Sequence, residues 1–262
     1  MSYFENLYKP CLLDRNRVGL AGNYALNYAN LSDVVTVGNT SDFAWMHGKG
    51  NISNFKWTVD FLVKITHFPI SIQYFLYTQL GASGIGFALF LDNRTNISRS
   101  RRLRLYISNG SNSINIPADI DGPNNTYPND SDWHRLTFTY DHSLDNFNAK
   151  VYIDGSFIFQ GHKKPHNGSN SDSTNILHIG NRDTLDHNIS GYMSDIRIFD
   201  RVLTPQEIDE IKFSRLIGNE SGLVNYWKID EGSGLVINDS KGDKHGDIQG
   251  PTWIEPNDFP II

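Results

Sequence analysis

Phe55-Lys56-Trp57-Thr58-Val59-Asp60-Phe61-Leu62-Val63-Lys64-Ile65-Thr66-His67 is the stretch that decides the fold class. Its odd-numbered residues from Phe55 to Ile65 are almost all large and apolar, while Lys56, Thr58, Asp60, Lys64 and Thr66 stand between them. Successive side chains of an extended chain point to opposite sides, so this alternation spells a long β-strand with one buried face and one largely wet face. Shorter runs repeat the signal at residues 72–77, 85–91, 103–107, 136–140, 149–153, 176–179 and 196–199. Turn-rich segments of Gly, Asn, Asp and Ser separate them. Many short strands without intervening helices predict an all-β fold, a two-sheet antiparallel β-sandwich of the jelly-roll kind.

Two local signals refine this reading. Asp154-Gly155 lies between the apolar runs ending at Ile153 and starting at Phe157, and both residue types tolerate the positive φ of a tight hairpin turn. Thr204-Pro205-Gln206-Glu207 offers an N-cap hydroxyl, a proline at the first helical position and a glutamate three residues after the cap. It predicts one short helix near residues 205–215, with Ile208, Ile211 and Arg215 on one face packed against the sandwich.

Composition bounds the partners. The 262 residues are 39% hydrophobic, 12% aromatic and 20% charged, enough apolar material for a real core. A formal charge of -6 gives no field that would draw in nucleic acid or an anionic membrane. Cys11 is the single cysteine, so no internal disulfide is expected. The opening residues MSYFENLYKPCLLDRNR show no basic stretch followed by an apolar run, and no window suits a membrane span, so neither a signal peptide nor a span is expected. Asn-x-Ser/Thr sequons recurring from Asn30 to Asn238 pull the other way, toward an extracellular or particle-surface protein.

Trp133-His134-Arg135-Leu136-Thr137-Phe138-Thr139-Tyr140-Asp141, then Val151-Tyr152-Ile153-Asp154-Gly155, then Gly191 through Ile208 follow one another in an order that resembles a known family. They are similar to the strand, hairpin and closing strand-to-helix of laminin-G-like jelly-roll domains, in the concanavalin A-like lectin and glucanase superfamily. The resemblance implies a β-sandwich over residues 18–217, leaving an N-terminal arm at 1–17 and an extension at 218–262. Gly222 to Gly234, with Asp239-Ser240-Lys241-Gly242, resembles the segment that usually opens such a domain, yet here it follows the closing helix. It either fills the same slot from the other end of the chain or is donated to a neighbouring chain.

The superfamily includes glycoside hydrolases, whose retaining members carry paired glutamates on one strand. The nearest match, Glu207-Ile208-Asp209-Glu210, has the wrong spacing and sits in the capping box; Asp230 and Glu231 are adjacent and face opposite ways on a strand. No enzyme is expected. Laminin-G-like domains often hold calcium, and Asp119, Asp121, Asp130 and Asp132 form a dense set of hard oxygen ligands of the type Ca2+ prefers. Asp239, Asp243 and Asp247 are a rival set, and turn geometry alone explains either one. Arg99, Arg101, Arg102 and Arg104 predict a patch for sulfated or carboxylated glycans, with a solvated strand face as the bland alternative. Tyr106 and Tyr127 join that candidate ligand site, with Tyr74, Tyr77 and Tyr152 as further reachable rings; His187 reads as an isolated loop histidine. The expected function is a non-enzymatic module that recognises a glycan or glycoprotein, with or without calcium. The alternative is a structural subunit of a surface or virion assembly that contacts other protein subunits through its terminal arms.

Overall fold

The computed structural model of the chain describes residues 23–47, 55–69, 71–78, 85–94, 101–108, 126–128, 130–145, 147–161 and 176–260. The strands run β1 Ala25–Tyr28, β2 Val34–Val37, β3 Lys56–Ile65, β4 Ile72–Tyr77, β5 Gly86–Asp92, β6 Arg102–Ser108, β7 Trp133–Asp141 and β8 Ala149–Ile153. After them come β9 Ser156–Gly161, β10 Leu177–Ile179, β11 Gly191–Phe199, helix α1 Pro205–Ile211, β12 Leu223–Trp227, β13 Val236–Ile237, β14 Gly246–Gln249 and β15 Thr252–Ile254. They form two antiparallel sheets. The first has the order β15-β1-β11-β3-β7-β8-β9, with β12 also on β11; the second has the order β13-β14-β2-β10-β4-β5-β6.

The sandwich interior is built from the alternation that the sequence displays. Trp57, Val59, Phe61, Val63 and Ile65 of β3 meet Phe87, Leu89, Leu91, Leu103 and Leu105 of the facing sheet in one core. Trp57 also satisfies its indole nitrogen, donating to the Met46 carbonyl at 2.9 Å, so a large ring is buried without an orphaned polar atom. The Asp154-Gly155 turn takes φ of 51° and 79°, the left-handed pair that the expected hairpin requires.

The middle of the other face of β3 is not wet. Thr58, Asp60 and Leu62 are each fully buried. Helix α1 and the chain around it lie across this side of the first sheet, where Phe199, Leu203, Ile208, Leu216 and Tyr226 form a second apolar cluster. Alternation cannot reveal such a cover, because a polar residue facing a covering segment looks the same in sequence as one facing solvent.

Under that cover sits a closed ionic square. Arg135 Nη1 lies 3.1 Å from Asp60 Oδ1 and its Nη2 lies 2.5 Å from Asp195 Oδ2. Arg197 reaches the same two oxygens, at 3.3 Å and 2.6 Å. Thr137 and Tyr226 hydroxyls donate to the remaining carboxylate oxygens of Asp60 and Asp195, both at 2.7 Å. Burial would raise the Asp195 carboxyl, but Arg197, Arg135 and Arg215 outweigh it and hold its pKa below the usual range.

The same arginines meet the end of the short helix. The capping box forms as the sequence predicts, with Glu207 N donating to Thr204 Oγ1 at 3.2 Å and Thr204 N donating to Glu207 Oε2 at 2.7 Å. Arg201 donates to both Glu207 oxygens and lowers that carboxyl to about 2. The helix stops at Ile211, not near 215, and the carbonyls of Ile211, Lys212 and Ser214 that its end leaves open accept from Arg197 and Arg135. Arg215 leaves the helical face and donates to the Lys228 carbonyl at 2.7 Å.

The last strands pair with both sheets. β12 lies antiparallel to β11 with Trp227 opposite Ile196, β15 lies on β1, and β14 lies on β2 with Ile248 opposite Val35. Trp227 is fully buried in the central core.

Candidate functional site

On the side of the second sheet turned away from the central core, β4, β5 and β6 carry a buried aromatic cluster. Tyr74, Tyr77, Phe90 and Tyr106 cluster there with Ala88, and Tyr74 lies 5.0 Å from Tyr77 and 5.2 Å from Phe90 between ring centroids. Toward β2 and β14 the same face becomes polar: Thr36 accepts from Gln249 at 2.9 Å, and Asp247 and Gln249 are exposed.

A loop after β10 closes one end of this cluster. Gly180 starts it, at φ of 80°, where a Cβ would stand 2.1 Å from the Tyr28 ring; only glycine fits. Asn181 then donates to the carbonyls of Leu31 and Asp33 at 2.8 and 3.1 Å, and accepts from the amides of Arg182 and His187. Gly180 N to Phe75 O and Tyr74 N to His187 O complete the attachment to β4. The loop is therefore fixed at both ends before any of its side chains acts.

Those side chains converge on Tyr74. Arg182 stands 6.0 Å above its ring and the His187 ring meets it edge-on at 6.0 Å. Asp186 holds both: Arg182 donates from Nε at 2.5 Å and Nη2 at 2.6 Å, and His187 Nδ1 lies 2.8 Å away. These contacts, that of Arg182 foremost, keep the Asp186 carboxyl well below the ordinary carboxylate range. Arg182, Asp186 and His187 keep 23%, 41% and 23% of their side-chain surface exposed, so this end of the face is reachable by a ligand.

The sequence-predicted site residues fare differently. Arg104 is buried, paired with Asp92 at 2.9 Å and lying 5.2 Å from the Phe90 ring centroid. Arg102 stands across the ladder from the same Asp92, and Arg101 occupies a turn at φ of 47°. Arg94 spends its fork on Asp92 as well, at 2.9 and 2.8 Å. Of the expected arginine patch, Arg104 is engaged within the sheet by Asp92, the residue that stands opposite Arg102.

The tyrosines named as reachable are covered. Tyr106 is 7% exposed and Tyr127 1%. Tyr127 belongs to the core rim, because its amide donates to Arg101 O at 3.1 Å and swings the ring against Phe68 and His134. Tyr74, Tyr77 and Tyr152 are also buried.

Arg99, Asp119 and Asp121 lie outside the described residues. Asp132 is exposed, while Asp130 accepts from the Asp132 amide at 3.0 Å and from His134 Nε2 at 3.1 Å. The rival Asp239 accepts from Tyr226 N, Asn225 Nδ2, Gly242 N and Lys241 N, which makes it a turn anchor. Among the described residues, no group of three or more His, Cys, Asp and Glu side chains is placed to hold a metal ion. Among them, too, no helix is long and apolar enough to cross a membrane.

His134 deserves its own test, because Asp154 Oδ2 sits 2.8 Å from its other nitrogen. Only an imidazolium donates from both nitrogens. Burial works against the charge, but Asp154 and Asp130 outweigh it and raise the pKa above 6.5. A raised folded-state value means that this stabilisation is complete below the unfolded pKa and is lost as pH rises through the folded one. The melting temperature should fall as pH rises above about 6.5, and His134→Gln should flatten that slope. Calorimetry showing the same slope in both proteins would assign it to other groups.

Sequence reasoning missed Arg182 and Asp186. Their only trace is an opposite-charge pair four residues apart within a turn-like run, a pattern that ordinary loops share.

Comparison with known proteins accords with this architecture. A family model described as the concanavalin A-like lectin/glucanases superfamily matches residues 33–209. No curated protein matches the chain. Among solved structures, a candidate carbohydrate binding protein from Bacteroides ovatus superposes with a TM-score of 0.61 at 17% identity, over 93% of this chain and 62% of that one. This chain therefore spans less than two thirds of that protein. The CBM40 of the Ruminococcus gnavus IT-sialidase, bound to α2,3-sialyllactose, gives a TM-score of 0.48 at 14% identity, over 72% of this chain and 96% of that one.

Proposed function

The chain belongs to the concanavalin A-like lectin/glucanases superfamily, and from that premise we propose that it is a non-enzymatic carbohydrate-binding or adhesion module. The observation that carries this reading is the half-exposed Arg182–Asp186–His187 group held rigidly against Tyr74 at the end of the aromatic face. Sugars need fixed donors and acceptors, and preorganised groups lose little entropy on binding. The likeness to the Bacteroides ovatus protein supports the fold on which such a face is built.

The electrostatics speak against Asp186 or Asp92 as the acid of a hydrolase. A glycosidase of the two-carboxylate kind needs one carboxyl raised to act as an acid. Asp186 is held low by Arg182, and Asp92, although burial pushes it up, is brought below its usual value by Arg94 and Arg104. Both stay ionised at neutral pH, and neither supplies a proton.

Calcium assistance remains part of the proposal through Asp119 and Asp121, outside the described residues. A glycan array run with and without chelator tests both parts. Binding should appear on carbohydrate spots and be lost in Arg182→Ala; signal that vanishes with chelator assigns calcium a role. An array with no bound glycan, from protein with an intact melting transition, would remove the reading.

A further inference from the structure

Resting on the carbohydrate-binding reading, we propose that the loop at residues 181–187 recognises neutral sugars through a pair of adjacent hydroxyls and rejects sialylated and sulfated ones. Asp186 Oδ1 accepts from Arg182 Nε at 2.5 Å, Thr184 Oγ1 at 2.7 Å and His187 Nδ1 at 2.8 Å; Oδ2 accepts from Arg182 Nη2 at 2.6 Å. In the tautomer that donates Nδ1–H to Asp186, His187 presents Nε2 as an acceptor. Arg182 keeps guanidinium N–H groups beyond the two that Asp186 takes. One donor and one acceptor therefore stand on partly exposed side chains that share Asp186 and are both braced by the buried Tyr74 ring.

Adjacent sugar hydroxyls match that arrangement, since one accepts from Arg182 while its neighbour donates to His187. A carboxylate or sulfate does not. It has no proton for His187 Nε2, and the charge of Arg182 is already neutralised bidentately by Asp186, whose own negative charge repels a second anion. At the far side of Tyr74 and Phe90, Arg94 and Arg104 are similarly committed to Asp92. An anionic glycan would reach the remaining Arg182 N–H groups only beside the Asp186 carboxylate, or would have to break the formed ion pair.

Isothermal titration of the full chain tests this, with neutral glucose-, galactose- and arabinose-containing trisaccharides as one panel, and sialyllactose and a heparin-derived tetrasaccharide as the other. Binding is expected in the neutral panel only. Arg182→Met and His187→Ala should each weaken it about tenfold, the loss of one well-formed hydrogen bond. His187→Gln, whose amide oxygen still accepts, should retain most of the affinity. Melting curves of the variants separate a lost contact from a lost fold. Binding confined to the anionic panel overturns the selectivity while leaving a carbohydrate-binding module standing. Neutral binding indifferent to both substitutions moves the site elsewhere and overturns the proposal, and binding to neither panel overturns it together with the functional reading.

Discussion

Replacing Arg197 with methionine is expected to destabilise the fold by about 3–5 kcal/mol, a large part of the stability of an ordinary domain. The substitution leaves Asp60 and Asp195 fully buried with Arg135 as their one remaining guanidinium partner within the ionic square. It also frees the carbonyls of Ile211 and Ser214, which Arg197 now ties down from the chain behind α1. Two costs therefore add: an uncompensated buried charge and two carbonyls that each lose a charged donor, Ile211 O keeping the Ser214 amide. The apolar seal formed by Ile208 and Leu216 should loosen at the same time, because those side chains ride on the segment that Arg197 anchors. Urea unfolding of the two proteins at pH 7 measures the effect. A change smaller than about 1 kcal/mol would show that water reaches the square and screens it, as it does surface pairs. Asp195→Asn should also be strongly destabilising, since it removes the shared partner of both arginines and the ionised acceptor of the Tyr226 hydroxyl.

The square also shows where sequence reading reaches its limit. Trp57, Phe61 and Phe138 announce a buried face by alternation, and the core confirms it. Asp60, Arg135 and Arg197 lie on the opposite faces of strands and resemble solvated residues, because a sequence does not record that another segment will cross above them. Arg135 stands inside the Trp133 to Asp141 pattern that marks the family, and its structural role explains its presence there: it joins β3, β7, β11 and the chain after α1. His134 and Asp154, from the same patterns, bind each other, and Asp154 also accepts from the Arg135 amide at 2.8 Å. The candidate site was less legible for a different reason. Tyr74 is visible as a strand aromatic, but Arg182, Asp186 and His187 meet it only because Gly180 and Asn181 bend the chain across β4. That is a tertiary event with no periodicity to detect.

A chain ending at Gly218 is expected not to fold. Its removed residues would take β12 and β15 from the first sheet and β13 and β14 from the second, so each sheet would lose two strands and expose a new edge. The core would lose Trp227, whose removal by Trp227→Ala alone should cost about 3–5 kcal/mol. The ionic square would lose the Tyr226 hydroxyl that donates to Asp195 at 2.7 Å. At the far end, Asp258 accepts from Trp133 Nε1 at 3.1 Å, and the Phe259 ring packs edge-on against Trp133 at 5.1 Å, so the opening of β7 would also be uncovered. These losses fall on both sheets, the interior and the covered face together, and among the described residues no remaining element is placed to compensate. Circular dichroism and size-exclusion chromatography should show an expanded chain without a cooperative melt. Adding residues 219–262 as a separate peptide should restore part of the transition, as expected if this segment fills a slot that the chain itself leaves open. A truncated protein that melts cooperatively with a native β spectrum, and loses only the ability to assemble, would mean that the extension belongs to a neighbour instead.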